Sequence, residues 1–443
     1  MRMTRHTAVA ALGLTAALAL TACSSAGTAG GGSGSDGPQE VPTTKGDGET
    51  LTVWVMTGDY TDETIQAIND EFTEQTGAEV DIQTQQWDGI TTKISTALAT
   101  NTPPDVLDLG NTQVASYAEN GALLDLGDYA DDLRQGQEWL TGLEEPATVD
   151  GSLYGVPGFA GARAVIYNKA QWAAAGITDE PTTYDELTAD LDALKAANTA
   201  SDYSPFYTPG EYWYAGMQFV WDAGGEIATQ GDDGSWEAGF SSPEAQQGLE
   251  DWQEFQNAYS TGASQTLDTD VPDQNQVFAD GKTGAVLGTN GKIDLIKEFN
   301  PALTDDDFGT FPFPGKSGDS QPVMLGGSDW GIAAKSANSD LALQWVKIAA
   351  SPEIQNDWVY GNDGWIPNST DGIEAAQSTL SDIDEGFFSA ALNSKATPAS
   401  GNWAALEGDR SINELFSSIA SGSKSPEAAA ESFDSSTDDA LNK

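Results

Sequence analysis

The stretch from Thr50 to Leu109 constrains the fold more than any other, because its hydrophobic period switches repeatedly between two residues and 3.6. In Thr50–Met56 (TLTVWVM), Leu51, Val53 and Val55 alternate with Thr52 and Trp54, the pattern of a strand with two unlike faces. A turn at Gly58-Asp59 leads to Asp62–Gln75, where Ile65, Ile68 and Phe72 share one helical face and Gly77 stops the helix. Glu79–Gln83 reads as a second strand. Ile90, Ile94 and Leu98 mark a second helix ended by Pro103-Pro104, and Asp105–Leu109 (DVLDL) is a third strand. Strands alternating with helices predict an α/β fold with a mostly parallel sheet covered on both faces. In such sheets ligands sit beyond the carboxyl ends of the strands. The loops Thr57–Tyr60, Gln85–Asp88 and Gly110–Gln113 occupy that position.

Farther along, the alternation of strand and helix lapses at Tyr154–Lys169 (YGVPGFAGARAVIYNK). Two short β-like pieces, Gly155–Pro157 and Ala164–Tyr167, flank a Gly-containing extended link there, read as a crossover between lobes. A second lobe then opens with Thr183–Ala197, where Thr183 and Glu186 have capping-box spacing and Leu187, Leu191 and Leu194 share a face. Ser242-Pro243 announces another helix carrying Leu249 and Trp252. Between them, Tyr203–Trp221 is dense in Tyr and Trp, is broken by Pro205, Pro209 and Gly210, and lacks the look of a buried helix stripe. Gly326–Ala334 is Gly-rich and then strand-like, Ser339–Ala350 is a helix with Trp345 inward, and Asn402–Ala420 reads as a late helix. Trp54, Trp252 and Trp345 lie on strand or helix faces and are expected in the core.

The segment before the first strand concerns location. Arg2 and Arg5, the apolar run Ala8–Leu20 and the small residues before Cys23 form an export signal; the run is too short to span a bilayer. Leu20-Thr21-Ala22-Cys23 resembles the lipobox of bacterial lipoproteins, which implies cleavage after residue 22 and lipidation of Cys23. A plain secretory signal is the alternative. From Ser24 to Gly48 the chain is mostly Gly, Ser, Thr and Pro, a tether whose reach at about 25 residues is roughly 25–30 Å.

Losing residues 1–22 removes His6, the sole histidine, and a lipidated Cys23 removes the sole thiol. That excludes Ser-His-Asp and Cys-His nucleophilic sites, His/Cys zinc sites and disulfides within the chain. The net charge of −51 would repel nucleic acid and anionic lipid headgroups. With 13 Trp and 12 Tyr, such a chain is better equipped to bind neutral polar molecules than to do chemistry, and no cofactor or metal is expected. Asp268-Thr-Asp270 offers oxygens for calcium, but Pro272 and a missing loop glycine break the EF-hand pattern.

With these features in place, four stretches in order resemble the extracellular solute-binding lipoproteins of ABC sugar importers, the cluster that contains the maltose-binding protein. They are Pro104–Leu126, Leu153–Lys169, Gly326–Glu353 and Gly364–Asn368. The resemblance implies a two-lobed periplasmic-binding-protein fold with several hinge crossings. The lobes would be 49–158 with 328–363, and 162–324 with 367–443; the crossings would fall near Pro157–Arg163, Met324–Gly327 and Trp365–Pro367. Carried over, the ligand-binding positions are Asp59, Tyr60, Trp87, Asp88, Asn111, Thr112 and Gln113 from the first lobe. Tyr212, Trp213, Asn290, Gly291 and Trp403 come from the second, with Asp329, Trp330 and Trp365 at the crossings. Leu109 and Lys292 stand where the maltose branch often has aromatics, which argues against maltose.

A pyranose offers an apolar face and a rim of hydroxyls, so it calls for a flat aromatic and directed polar groups. The resemblance implies a monomeric, lipid-anchored receptor that is not an enzyme and delivers a short oligosaccharide to a membrane permease, with N,N′-diacetylchitobiose the leading ligand. A surface glycoside hydrolase working through paired carboxylates and a receptor for a cation such as a polyamine are the alternatives from other classes.

Overall fold

The switches of period between Thr50 and Leu109 become alternating elements. In the computed structural model, which describes residues 37–443, β1 (Thr50–Met56), α1 (Asp62–Thr76), β2 (Glu79–Gln85), α2 (Ile90–Leu98) and β3 (Val106–Gly110) follow one another. The Thr61 hydroxyl accepts from the Thr64 N–H to start α1, and Gly77, at φ 77°, ends it in a left-handed cap. Downstream come β4 (Val156–Gly161), β5 (Ala164–Asn168), α3 (Tyr184–Ala197), α4 (Trp213–Asp222) and α5 (Pro243–Tyr259). Next are β6 (Ala285–Gly288), β7 (Phe308–Phe311), β8 (Gly326–Ile332) and α6 (Ser339–Ala349). Near the end of the chain lie α7 (Trp403–Gly408), α8 (Ser411–Ala420) and α9 (Pro426–Leu441).

Two sheets organise the molecule. The first has the order β2-β1-β3-β8-β4. β1 pairs in parallel with β2 and β3, whereas β8 pairs antiparallel with β3 and β4, so the sheet is mixed rather than mostly parallel. The second sheet, β6-β5-β7, is antiparallel throughout. Its strands show why period two matters: Val165 and Tyr167 of β5 enter one apolar core and Ala164 and Ile166 the core on the opposite face. A third core, containing Leu51, Val53, Ile68, Phe72 and Trp345, fills the first sheet's surroundings.

Three passages of chain lie side by side between these cores. β4 and β8 are paired from Gly161↔Gly326 to Val156↔Trp330, and Ile366 bridges Ala160 on the other side of β4. Phe159 packs in the first sheet's core and Ala160 in the second sheet's; Trp330 and Leu325 divide in the same way.

Three further expectations are corrected. Residues 1–36, with the export segment, Cys23 and much of the tether, lie outside the described residues, but 39–48 are held against the body rather than free. The Gln39 N–H donates to the Asp128 carbonyl, Val41 N–H to the Asp132 carboxylate and Gly46 N–H to the Thr76 carbonyl, and Val41 is buried. The aromatic run before Trp221 contains α4, a helix buried on nearly every side, which leaves no polar face to set a period. Asn402–Ala420 is two helices, α7 and α8, broken at Arg410 with φ 65°. Asp268 is occupied: its carboxylate accepts the N–H groups of Asp270 and Val271 and pairs with Arg410. Among the described residues no group of three His, Cys, Asp or Glu is placed to hold a metal.

Candidate functional site

The turn after β1 gathers groups from three other parts of the chain onto Asp59. Its side chain is buried; Oδ1 accepts from Trp87 Nε1–H at 3.1 Å and Oδ2 from the Ser328 hydroxyl at 2.7 Å. Its backbone carbonyl accepts from Trp365 Nε1–H at 2.7 Å. Thus the loop after β2, the crossing strand β8 and the third passage are all fixed to one residue. Tyr60 stacks on Trp330 with centroids 5.1 Å apart and meets Phe159 edge-on, and Phe159 in turn stacks on Trp365 at 4.6 Å. Trp87 is different: it is 39% exposed, the one exposed tryptophan among the described residues, and Asp88 beside it is exposed too.

Carboxylates crowd beneath this turn. Asp108, on β3, and Asp329, on β8, have no exposed surface. Asp108 Oδ2 accepts from the Met56 N–H at 3.0 Å, while its Oδ1, both Asp329 oxygens and the Tyr60 hydroxyl have no hydrogen-bond partner. Burial pushes the Asp59 carboxyl up to about 6, against the lowering effect of the Ser328 and Trp87 donors. Burial, with like charge from neighbouring aspartates, holds Asp108 and Asp329 well above the usual carboxylate range.

A second polar cluster lies where the loop after β3 meets α7. Asn111 is buried and donates to the carbonyls of Gly142 and Leu325, so it holds the loop to the crossing strand. Thr112 faces Glu407 on α7, and the Tyr214 hydroxyl donates to Glu407 at 3.1 Å. Arg163 lies 3.6 Å from the Tyr214 ring centroid and donates to the Tyr212 hydroxyl at 3.2 Å and the Met324 carbonyl. Burial raises the Glu407 carboxyl, opposed by the Tyr214 and Thr112 hydroxyls and by Arg163. Gln113 accepts from the Tyr117 hydroxyl, and Asn290 donates to the Gly364 carbonyl at 3.1 Å, with Gly291 open beside it.

Asp59, Tyr60, Trp87 and Trp365 therefore form one cluster, and Thr112 and Tyr212 join another. Trp330 belongs to the core: its ring is packed between Tyr60 and Trp345 and it is 1% exposed. Trp213 and Trp403 are also buried, 6.2 Å apart edge to face, a floor beneath Tyr214 rather than an open platform. Glu407, Tyr214, Asp108 and Ser328 enter these clusters without having been expected there from the sequence. Glu407 carried a readable signal, since four residues after Trp403 is the same face of a helix; Asp108 and Ser328 are set by sheet register, and Tyr214 by the packing of α4. A groove of about 830 Å³ between α1 and α6, lined by Val41, Ala67, Lys347 and Trp358, borders neither cluster.

The model of the bacterial extracellular solute-binding proteins matches residues 57–356. The chain belongs to that family. Among the relatives of this solute-binding protein, the diacetylchitobiose-binding protein DasA of Streptomyces coelicolor is 36% identical over 386 residues, 86% of this chain and 88% of that one. Solved structures share its two-lobed fold. The sugar-binding protein MalE of Xanthomonas citri superposes with a TM-score of 0.76 at 21% identity, covering 88% of this chain and 97% of that one. MalE of Listeria monocytogenes, solved with maltose, gives 0.75 at 19%, covering 89% and 98%. At such identities the structures speak for the fold alone.

Proposed function

We propose that this solute-binding protein is a lipid-anchored receptor on the outer face of the cell membrane that captures a short oligosaccharide, N,N′-diacetylchitobiose foremost, and hands it to an ABC permease. The observation that carries the reading is Trp87, an exposed indole whose edge is pinned by Asp59 at the carboxyl end of the sheet. A pyranose laid on that ring covers apolar surface while its rim hydroxyls reach carboxylates and amides. The named specificity of the Streptomyces relative supports the choice of sugar.

Asp59, Asp88 and Gln113 would take hydroxyls on the first-lobe side, and Tyr212, Arg163 and Glu407 on the second. Thr112, facing Glu407, and Asn290, bonded to the Gly364 carbonyl, would close the lobes over the ligand. The hinges are the three passages near Pro157–Arg163, Met324–Gly327 and Trp365–Pro367, dividing 49–158 with 328–363 from 162–324 with 367–443. Cys23 carries the anchor, the protein acts as a monomer, and it binds without hydrolysing.

Melting curves with diacetylchitobiose, cellobiose, maltose, trehalose and spermidine, each at low and high salt, test this. Diacetylchitobiose should raise the melting temperature, because a ligand bound to the folded state alone adds stability, should do so equally at both salt concentrations, and should be recovered intact. Cleaved sugar would replace the receptor with a hydrolase, and a salt-sensitive shift with spermidine alone would replace it with a cation receptor.

A further inference from the structure

The Ser328 hydroxyl has one hydrogen and two carboxylates beside it. Its hydrogen goes to Asp59 Oδ2 at 2.7 Å, and Asp108 is its neighbour, with Oδ1 lacking any donor. A hydroxyl that donates to one carboxylate cannot donate to a second, but it can accept. If Asp108 carries a proton, its O–H points at Ser328 Oγ and Ser328 passes the polarisation to Asp59. If Asp108 is ionised, it faces Asp59 as a buried like charge with an unsatisfied oxygen.

The surroundings favour the first arrangement. Tyr60, Asp108, Asp329 and Asp363 are the titratable groups gathered with Asp59 from the turn after β1, from β3, from β8 and from the third passage. All but the tyrosine are acids, and none of the four aspartates forms an ion pair with Lys or Arg among the described residues. Asp363 is served by the hydroxyls of Thr61 and Thr64. Asp329 has no partner for either oxygen and no exposed surface. Several bare charges in such a space are far more costly than neutral acids.

We propose that Ser328 and Asp108 are positioning residues for the cleft carboxylate of Asp59, and that their relay, in which Asp108 holds a proton, makes sugar binding proton-linked. This rests on the reading of Asp59 as a ligand group. Sugar hydroxyls donate to an ionised carboxylate more strongly than to a neutral acid, so binding expels the proton Asp59 acquires in acid. Affinity is flat above the Asp59 midpoint and falls below it, approaching about tenfold per pH unit. The relay lies on β8, where the pairing with β4 shifts register between Ser328 and Asp329; the same strand thus carries both the passage between cores and the group that tunes the cleft.

Two readouts on the purified protein test this. One is the dissociation constant for diacetylchitobiose from pH 4.5 to 8; the other, free of ligand, is the Trp87 indole N–H resonance over the same range, which reports Asp59 through their hydrogen bond. Both should titrate with a midpoint near 6. Ser328→Ala removes a donor from Asp59 and should move both midpoints upward by about half a pH unit or more, whereas a purely structural loss would raise the constant evenly at every pH. Asp108→Asn imitates the protonated acid and should leave the midpoints in place. A fall in the midpoint of that variant would show Asp108 ionised and overturn the relay, as would an unmoved midpoint in Ser328→Ala or an affinity indifferent to pH. An indole that titrates and shifts in Ser328→Ala, in a protein that binds no diacetylchitobiose at any pH, would retain the positioning of Asp59 and overturn the sugar reading instead.

Discussion

Trp87 shows how one side chain serves two masters. Its indole N–H satisfies a buried carboxylate, yet its ring remains 39% exposed. Because Trp87→Ala leaves Asp59 Oδ1 without its donor, folding stability should fall by about 1–3 kcal/mol in denaturant melts. The same change removes the apolar surface a sugar would cover, a loss of about 1.5–3 kcal/mol, or roughly a tenfold to hundredfold rise in the dissociation constant by calorimetry. An affinity unaltered by that substitution would take the platform away from Trp87. Asp59 could be singled out from its loop position, but its partner Ser328 could not, being 269 residues distant and brought there by strand pairing.

Among the elements, β8 is tightly constrained at Gly327. Gly327 sits at φ 143°, and a Cβ there would lie 2.1 Å from the Phe159 carbonyl oxygen. Gly327→Ala must break the β8–β4 contact or distort it, at a cost of about 1–3 kcal/mol from backbone strain alone; denaturant melts should show at least that loss, and a wild-type midpoint would refute the close approach. α3 behaves as its sequence says, with Thr183 and Glu186 forming the complete capping box. α4 does not, since a helix surrounded by protein needs no polar side and its Tyr-Trp run has no period to read.

Across the molecule, acidity and burial act in the same direction. Asp59, Asp108 and Asp329 all bind protons more tightly folded than unfolded. Their stabilisation is present in full below the unfolded value near 4 and is lost as pH rises through the folded values, beginning with Asp59 at about 6. Self-repulsion of a chain at −51 adds to the loss. Calorimetry should therefore give a higher melting temperature at pH 5 than at pH 8, the reverse of what salt-bridged carboxylates produce.

Local sequence accounts for the alternation of β1 to β3 with α1 and α2, the helix caps at Thr61, Thr183 and Ser242, and the loops in which Asp59, Trp87 and Thr112 stand. Those are matters of period, capping and turn chemistry, written within a dozen residues. Long-range packing settled that β8 runs antiparallel between β3 and β4, that the Trp330 and Trp403 rings are buried, and that 39–48 lie against the body. It also brought Glu407 opposite Thr112 and Ser328 next to Asp59 and Asp108. Such pairings depend on which distant strands share an edge, and nothing local to either strand records its neighbour.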